Sequence, residues 1–155
     1  MGRLGASIRG GMLAVLAMAM AVPATRAFSA GERTVDELKA KLSSTAVGEK
    51  PRLCLQIAEK QLAEADKLYA GADDDKGNAS LTDVIAYSEL ARDYAIQAHK
   101  HEKQTEIAVR GMTRKLTEVL HSLPHDEQSV VKDAIRRLDR VRDDLLMAMF
   151  PKGNK

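Results

Sequence analysis

Between Ala79 and Leu123 the chain runs 45 residues with no proline and one glycine, Gly111. A heptad register that starts at Leu81 passes through the whole stretch. Its seam reads Leu81, Val84, Ser88, Ala91, Ala95, Ala98, Glu102, Thr105, Val109, Met112, Leu116, Val119 and Leu123. Alternating steps of three and four mark a helix that packs along one stripe against other helices. Only Glu102 and Thr105 interrupt the apolar run. The segment His99–Glu106 (HKHEKQTE) carries no glycine, proline or other turn chemistry, so the register predicts one continuous helix. At 1.5 Å per residue it would be about 67 Å long. The expected fold is therefore all-α, with antiparallel helical hairpins around one long central helix, about 79–123. A compact up-down four-helix bundle, with a turn inside His99–Thr105, is the alternative.

The flanking segments look built to cover that seam. From Arg52 to Ala70 a matching stripe runs through Leu55, Ala58, Leu62, Ala65 and Tyr69, widened by Leu53, Ile57 and Leu68. Its small residues, Ala58 and Ala65, face Ser88, Ala91 and Ala95, which predicts a close approach of two backbones. Pro51 suits a helix's first turn. The run Gly71–Asn78 (GADDDKGN) reads as a connecting turn, with Ser80–Asp83 (SLTD) capping the next helix. Pro124 ends the long stretch. The last helix is expected from Asp126 or Glu127 to about Met149, with Val131, Ala134, Leu138, Val141, Leu145 and Ala148 on its stripe. Shifting residues 52–101 by fifty aligns helix on helix, with identities at Ile57/Ile107, Ala58/Ala108 and Asp93/Asp143 among others. That is weak support for two helical hairpins in tandem.

Residues 1–27 read as a cleavable signal peptide. Arg3 and Arg9 precede an eleven-residue apolar run, Met12–Val22, and small residues come after it. Such a run spans about 16 Å as helix, far less than a hydrocarbon core of about 30 Å. Cleavage is expected after Ala27, with Ala24 and Ala30 as alternatives, which predicts a periplasmic or secreted protein without stable membrane insertion. Residues 28–50 form a short helix and linker. Thr34–Glu37 (TVDE) is a capping box for that helix, whose Val35, Leu38 and Leu42 are expected to dock weakly or to serve as a mobile arm. Residues 51–150 form the bundle, and 151–155 a tail.

Charge narrows the function. The leader holds three of the 24 basic residues and no acid, so the remainder carries 21 basic against 22 acidic residues. That balance gives no general basis for nucleic-acid binding. Residues 59–93 are net acidic, and 94–142 net basic, with Lys132, Arg136, Arg137, Arg140 and Arg142 along the last helix.

No motif carries chemistry. There is no phosphate loop, no nucleophile elbow and no histidine paired with a nucleophile, so the chain reads as a non-enzyme without cofactor, catalytic residue or metal ligand. His99 and His101 diverge by about 200° on a helix. Glu118 and His121 have the spacing of a helical di-iron motif, but no second such pair exists. Asp73–Asp75 resembles a calcium loop only superficially. Asn78-Ala-Ser80 matches a glycosylation sequon. Cys54, the single cysteine, reads as half-buried and structural, with an intermolecular disulfide as the alternative.

The resulting expectation is an exported helical protein that binds other polypeptides, including a second copy of itself as a homodimer. Its contact residues would be Val109, Met112, Leu116 and Val119, with the basic side of the last helix as a second surface. The rival reading is a four-helix bundle for a small ligand or metal, using His121 and His125.

Overall fold

A computed structural model describes residues 33–151. The expected leader, residues 28–32 and residues 152–155 of the tail lie outside them. The described residues form α1 (Val35–Leu42), a 3-10 turn (Val47–Glu49), α2 (Lys50–Ala70), α3 (Asp74–Ala98), α4 (Glu102–Ser122) and α5 (Gln128–Met149). They contain no strand, and none of their helices is long and apolar enough to cross a membrane.

The seam is the core, but the helix that carries it is not continuous. Every seam residue from Leu81 to Leu123 is buried except Ala98 and Glu102, which are half-buried. The expected long helix, 79–123, breaks at His99–His101, and the compact alternative stands. His99 ends α3 in the left-handed region at φ 50°, and His101 opens α4 at φ 66°. The His99 amide donates to the Ile96 carbonyl at 3.3 Å and the Lys100 amide to Ala95 at 3.1 Å. These two bonds are the pattern by which a helix closes on a left-handed residue, usually glycine. Histidine enters that region more readily than most residues. Two such residues cost about 1–2 kcal/mol each. The turn in exchange buries Val109, Leu116, Met112 and Val119, at about 1.5–3 kcal/mol per large aliphatic side chain. Burial wins.

The two hairpins, α2–α3 and α4–α5, stack side by side. Packing is most extensive between α2 and α3, then between α4 and α5, with α3 against α5 and α2 against α4 joining the pairs. Ion pairs fix the register: Lys115 to Asp66 at 3.0 Å ties α4 to α2, and Arg137 to Glu89 at 2.7 Å ties α5 to α3. Because Lys100 also meets Glu49 at the start of α2, α2 and α4 run in the same direction.

Two further expectations change. The first concerns α1, which does not dock weakly. Leu38 is 1% exposed against Leu53 and Ile57, and Lys39 donates to Asp83 at 2.8 Å. The capping box forms as expected, with Glu37 N donating to Thr34 Oγ1 at 3.2 Å and Thr34 N to Glu37 Oε2 at 3.0 Å.

The second concerns α3, which starts at Asp74 instead of at a Ser80 cap. Asp74 and Asp75 sit in the first turn, where the helix dipole favours acids, and the left-handed residue before them is Ala72 at φ 56°, not Gly71. Gly77 is needed in this turn, because a Cβ there would lie 2.9 Å from the Tyr69 ring. The Tyr69 hydroxyl donates to Asn78 Oδ1 at 2.7 Å, so the sequon asparagine is already engaged inside a helix.

Candidate helix-docking groove

The residues expected to meet a partner are not at the surface. Val109 and Leu116 are fully buried, and Met112 and Val119 are nearly so, all within the chain's own core. Val109, Leu116 and Val119 are closed off by the chain's own helices, and Met112 meets the surface only as part of a groove's lining. The seam register reports which face is apolar and not whether the same chain covers it. Here the turn at His99–His101 supplies the cover.

The basic side of α5 is also partly spent inside the molecule. Arg137 grips Glu89 through Nε at 3.1 Å and Nη2 at 2.7 Å. Arg142 donates to Glu106 at 3.0 Å, whose side chain is only 9% exposed. Lys132, Arg136 and Arg140 remain exposed, and Arg136 pairs with its own helix neighbour Asp133. Two of the five cations read as a basic patch, Arg137 and Arg142, are instead clamps that hold α5 on α3 and α4.

His121 and His125 are exposed on either side of Pro124. Among the described residues no three His, Cys, Asp or Glu side chains are grouped as a metal ion requires. Asp73 is engaged by Lys76 at 2.7 Å, which holds its carboxyl below the usual range. Cys54 is fully buried, not half-buried, and burial pushes its thiol up to about 11. A thiol in that state is protonated and shielded, which closes the intermolecular disulfide in the folded protein.

The stacking of hairpins does create a groove of about 480 Å³ between α2 and α4. Leu62 and Met112 form its floor, and Ala63, Ala108 and Gly111 its walls. Glu59, Lys67 and the Asp66–Lys115 pair stand at the rim. Burial raises the Glu59 carboxyl above its ordinary range although the outer side of its side chain is exposed. The groove arises from side-chain size. Three residues without a γ carbon on facing positions leave the two parallel helices unable to close over their own floor.

Gly111 is the informative member. A glycine inside a helix costs roughly 1 kcal/mol relative to alanine. Gly77 has a packing reason for that cost, and Gly111 has none, since a Cβ there would meet nothing within 4 Å. The space it opens belongs to the groove. In the sequence Gly111 stands out only as the single glycine of the long stretch. The signal lay in its spacing from Ala108, but Ala63 joins them only once α2 and α4 are known to be neighbours. In comparisons with family models, curated proteins and solved structures, nothing matches this chain.

Proposed function

We propose that the protein is a binding module for other polypeptides, and that the α2–α4 groove takes an apolar helical face of its partner. The observation that carries this reading is Gly111, a helix-interior glycine whose missing side chain serves no contact inside the protein and instead opens the groove. An open trough between two parallel helices, apolar below and charged at both rims, suits a third helix presenting small and apolar residues at i, i+3 or i+4, and i+7. The mixed rim of Glu59, Asp66, Lys67 and Lys115 sets orientation more than strength. No step of chemistry is proposed, and the module acts as a non-enzyme without cofactor. Action outside the cytoplasm rests on the leader pattern of residues 1–27. N-terminal sequencing of the protein recovered from its native compartment tests that point, with Phe28 as the expected first residue.

The groove is tested by selecting displayed amphipathic helical peptides on the wild type, with counter-selection on Gly111→Leu, which fills the trough from a position where an added Cβ meets nothing within 4 Å. Enriched peptides should bind the wild type and lose at least about tenfold against Gly111→Leu, equivalent to about 1.4 kcal/mol. Peptides that bind both proteins equally, or no enrichment at all, would remove the groove from the reading. Light scattering on residues 28–155 tests self-association separately.

A further inference from the structure

Charged side chains on neighbouring helices of this bundle meet in pairs. Lys115 of α4 reaches Asp66 at 3.0 Å, Arg137 of α5 reaches Glu89 at 2.7 Å, and Arg92 of α3 reaches Asp144 at 2.9 Å. The contact between α4 and α5 departs from that pattern. Arg142, paired with Glu106, lines a cleft of about 380 Å³ between these two helices. At 100° per residue the cleft lies on the opposite flank of α4 from the groove that holds Gly111. Arg114 of α4 and Asp139 of α5 both line it, yet among the described residues neither makes an ion pair or a hydrogen bond. Asp139 is half-buried, so water serves its charge only in part. One hydroxyl of the cleft is left over as well. Thr82, Thr105 and Thr117 each donate to the carbonyl four residues back. Thr113 Oγ1 does not, and it is buried without a hydrogen-bond partner among the described residues. The polar groups of this cleft are not balanced by the chain itself.

We propose that this cleft binds a small zwitterion of the amino-acid class, with its acid group on Arg114 and its ammonium on Asp139. The charges select the ligand. A lone anion on Arg114 would leave Asp139 beside it unpaired, and a lone cation on Asp139 would sit among Arg110, Arg114 and Arg142. A molecule that carries both charges satisfies both helices at once. Arg114 presents a planar fork that a carboxylate meets through two parallel hydrogen bonds. Arg110 adds a second cation, held only at 3.8 Å by Glu106. Glu118, the other acid of the lining, is 3.6 Å from Lys115, which leaves Asp139 as the open acceptor. His121, singled out in the sequence for a small-ligand site, lines the same cleft. Its volume falls in the range of small-molecule sites, about 300–1,000 Å³. A cleft between α3 and α5 has similar residue types, but there Arg137 and Arg92 close on Glu89 and Asp144. The site shares no lining residue with the α2–α4 groove, so the two readings stand or fall separately.

The test follows the backbone amide shifts of the purified protein by NMR at constant pH and ionic strength. Each proteinogenic L-amino acid is added at about 10 mM, enough to detect millimolar binding. Acetate and methylammonium, each carrying one of the two charges, are the controls. At least one amino acid should move the Thr113, Thr117 and Asp139 amides, and neither control should move them as far. Arg114→Gln and Asp139→Asn should each weaken that binding at least about tenfold. Neither should lower the melting temperature, since neither side chain holds a partner among the described residues. No shift with any amino acid, an equal shift with acetate or methylammonium alone, or undiminished binding by Asp139→Asn would overturn the proposal. Should a variant fail to fold, the comparison of amino acid with the two controls on the wild type decides.

Discussion

The two hairpins have one outline and two kinds of interior. In α2–α3 small residues, with Ala58, Ala65, Ser88, Ala91 and Ala95 all fully buried, alternate with larger ones such as Leu62, Leu81 and Val84. The Ser88 hydroxyl is satisfied by its own helix, donating to the Val84 carbonyl at 2.7 Å. In α4–α5 the contact is made of Val109, Met112, Leu116, Leu138, Val141 and Leu145, with the Glu106–Arg142 pair at its edge. Their turns differ as well. The first closes on left-handed Ala72, and the second on extended Leu123 before Pro124. There Gln128 Nε2 donates to the Leu123 carbonyl at 3.0 Å and to Leu120 at 3.2 Å. Close backbones give the first hairpin the more extensive pairing, while bulk gives the second its burial. One bundle can therefore use shape on one side and volume on the other.

This contrast predicts where substitutions hurt. The largest effect is expected in the bulky hairpin. Leu116→Ala should lose about 3 kcal/mol in denaturant unfolding with no change in solution mass. A change in mass with unaltered stability would instead return the seam to an interface.

Next come the two helix glycines, one in each hairpin, for which opposite signs are expected. Gly77→Ala drives a Cβ toward the Tyr69 ring, with the nearest ring carbon 2.9 Å away, and should lose about 1–2 kcal/mol. Gly111→Ala enters open space and should gain up to about 1 kcal/mol. Equal signs by chemical denaturation would mean that the two hairpins are less different than they look.

A smaller gain is expected from Ala72→Gly. It relieves a left-handed alanine at about 1 kcal/mol, less the flexibility that glycine adds to the unfolded chain. The equivalent turn of the second hairpin has no left-handed residue to relieve.

The smallest effect lies at Glu127, just before α5. Desolvation, then Asp74 of α3 and Asp126, raises its carboxyl. A raised carboxyl stabilises the fold as pH falls through its folded value, and that contribution is absent at neutral pH. Glu127→Gln should therefore melt slightly higher than the wild type at pH 7, with the two curves converging in acid.

Much of the fold was legible. The stripes of α2, the seam and α5 are the core, almost residue for residue, because periodicity reports the apolar face directly. The capping box at Thr34, Pro51 in the first turn of α2 and the stop at Pro124 also stand. The start of α3 was missed because Asp, Gly and Asn read as turn residues. The fold instead uses the acids against the helix dipole and the glycine against Tyr69. The break at His99–His101 stood only as the alternative to a continuous helix, because a left-handed residue other than glycine is uncommon and nothing local requires one there.

The candidate groove was hardly legible. Its members Ala63, Ala108 and Gly111 lie on helices that are not consecutive, and each is unremarkable alone.

The sequence by itself determined that this protein is helical, which faces are apolar and where the hairpins lie. Those are consequences of local spacing and of backbone chemistry within a few residues. Only the tertiary structure decided that the seam folds back on itself, that the basic helix spends Arg137 and Arg142 as clamps, and that a groove remains between α2 and α4. Each of those depends on residues far apart in the chain competing for the same contacts. The outcome is set by total burial, which no local pattern encodes.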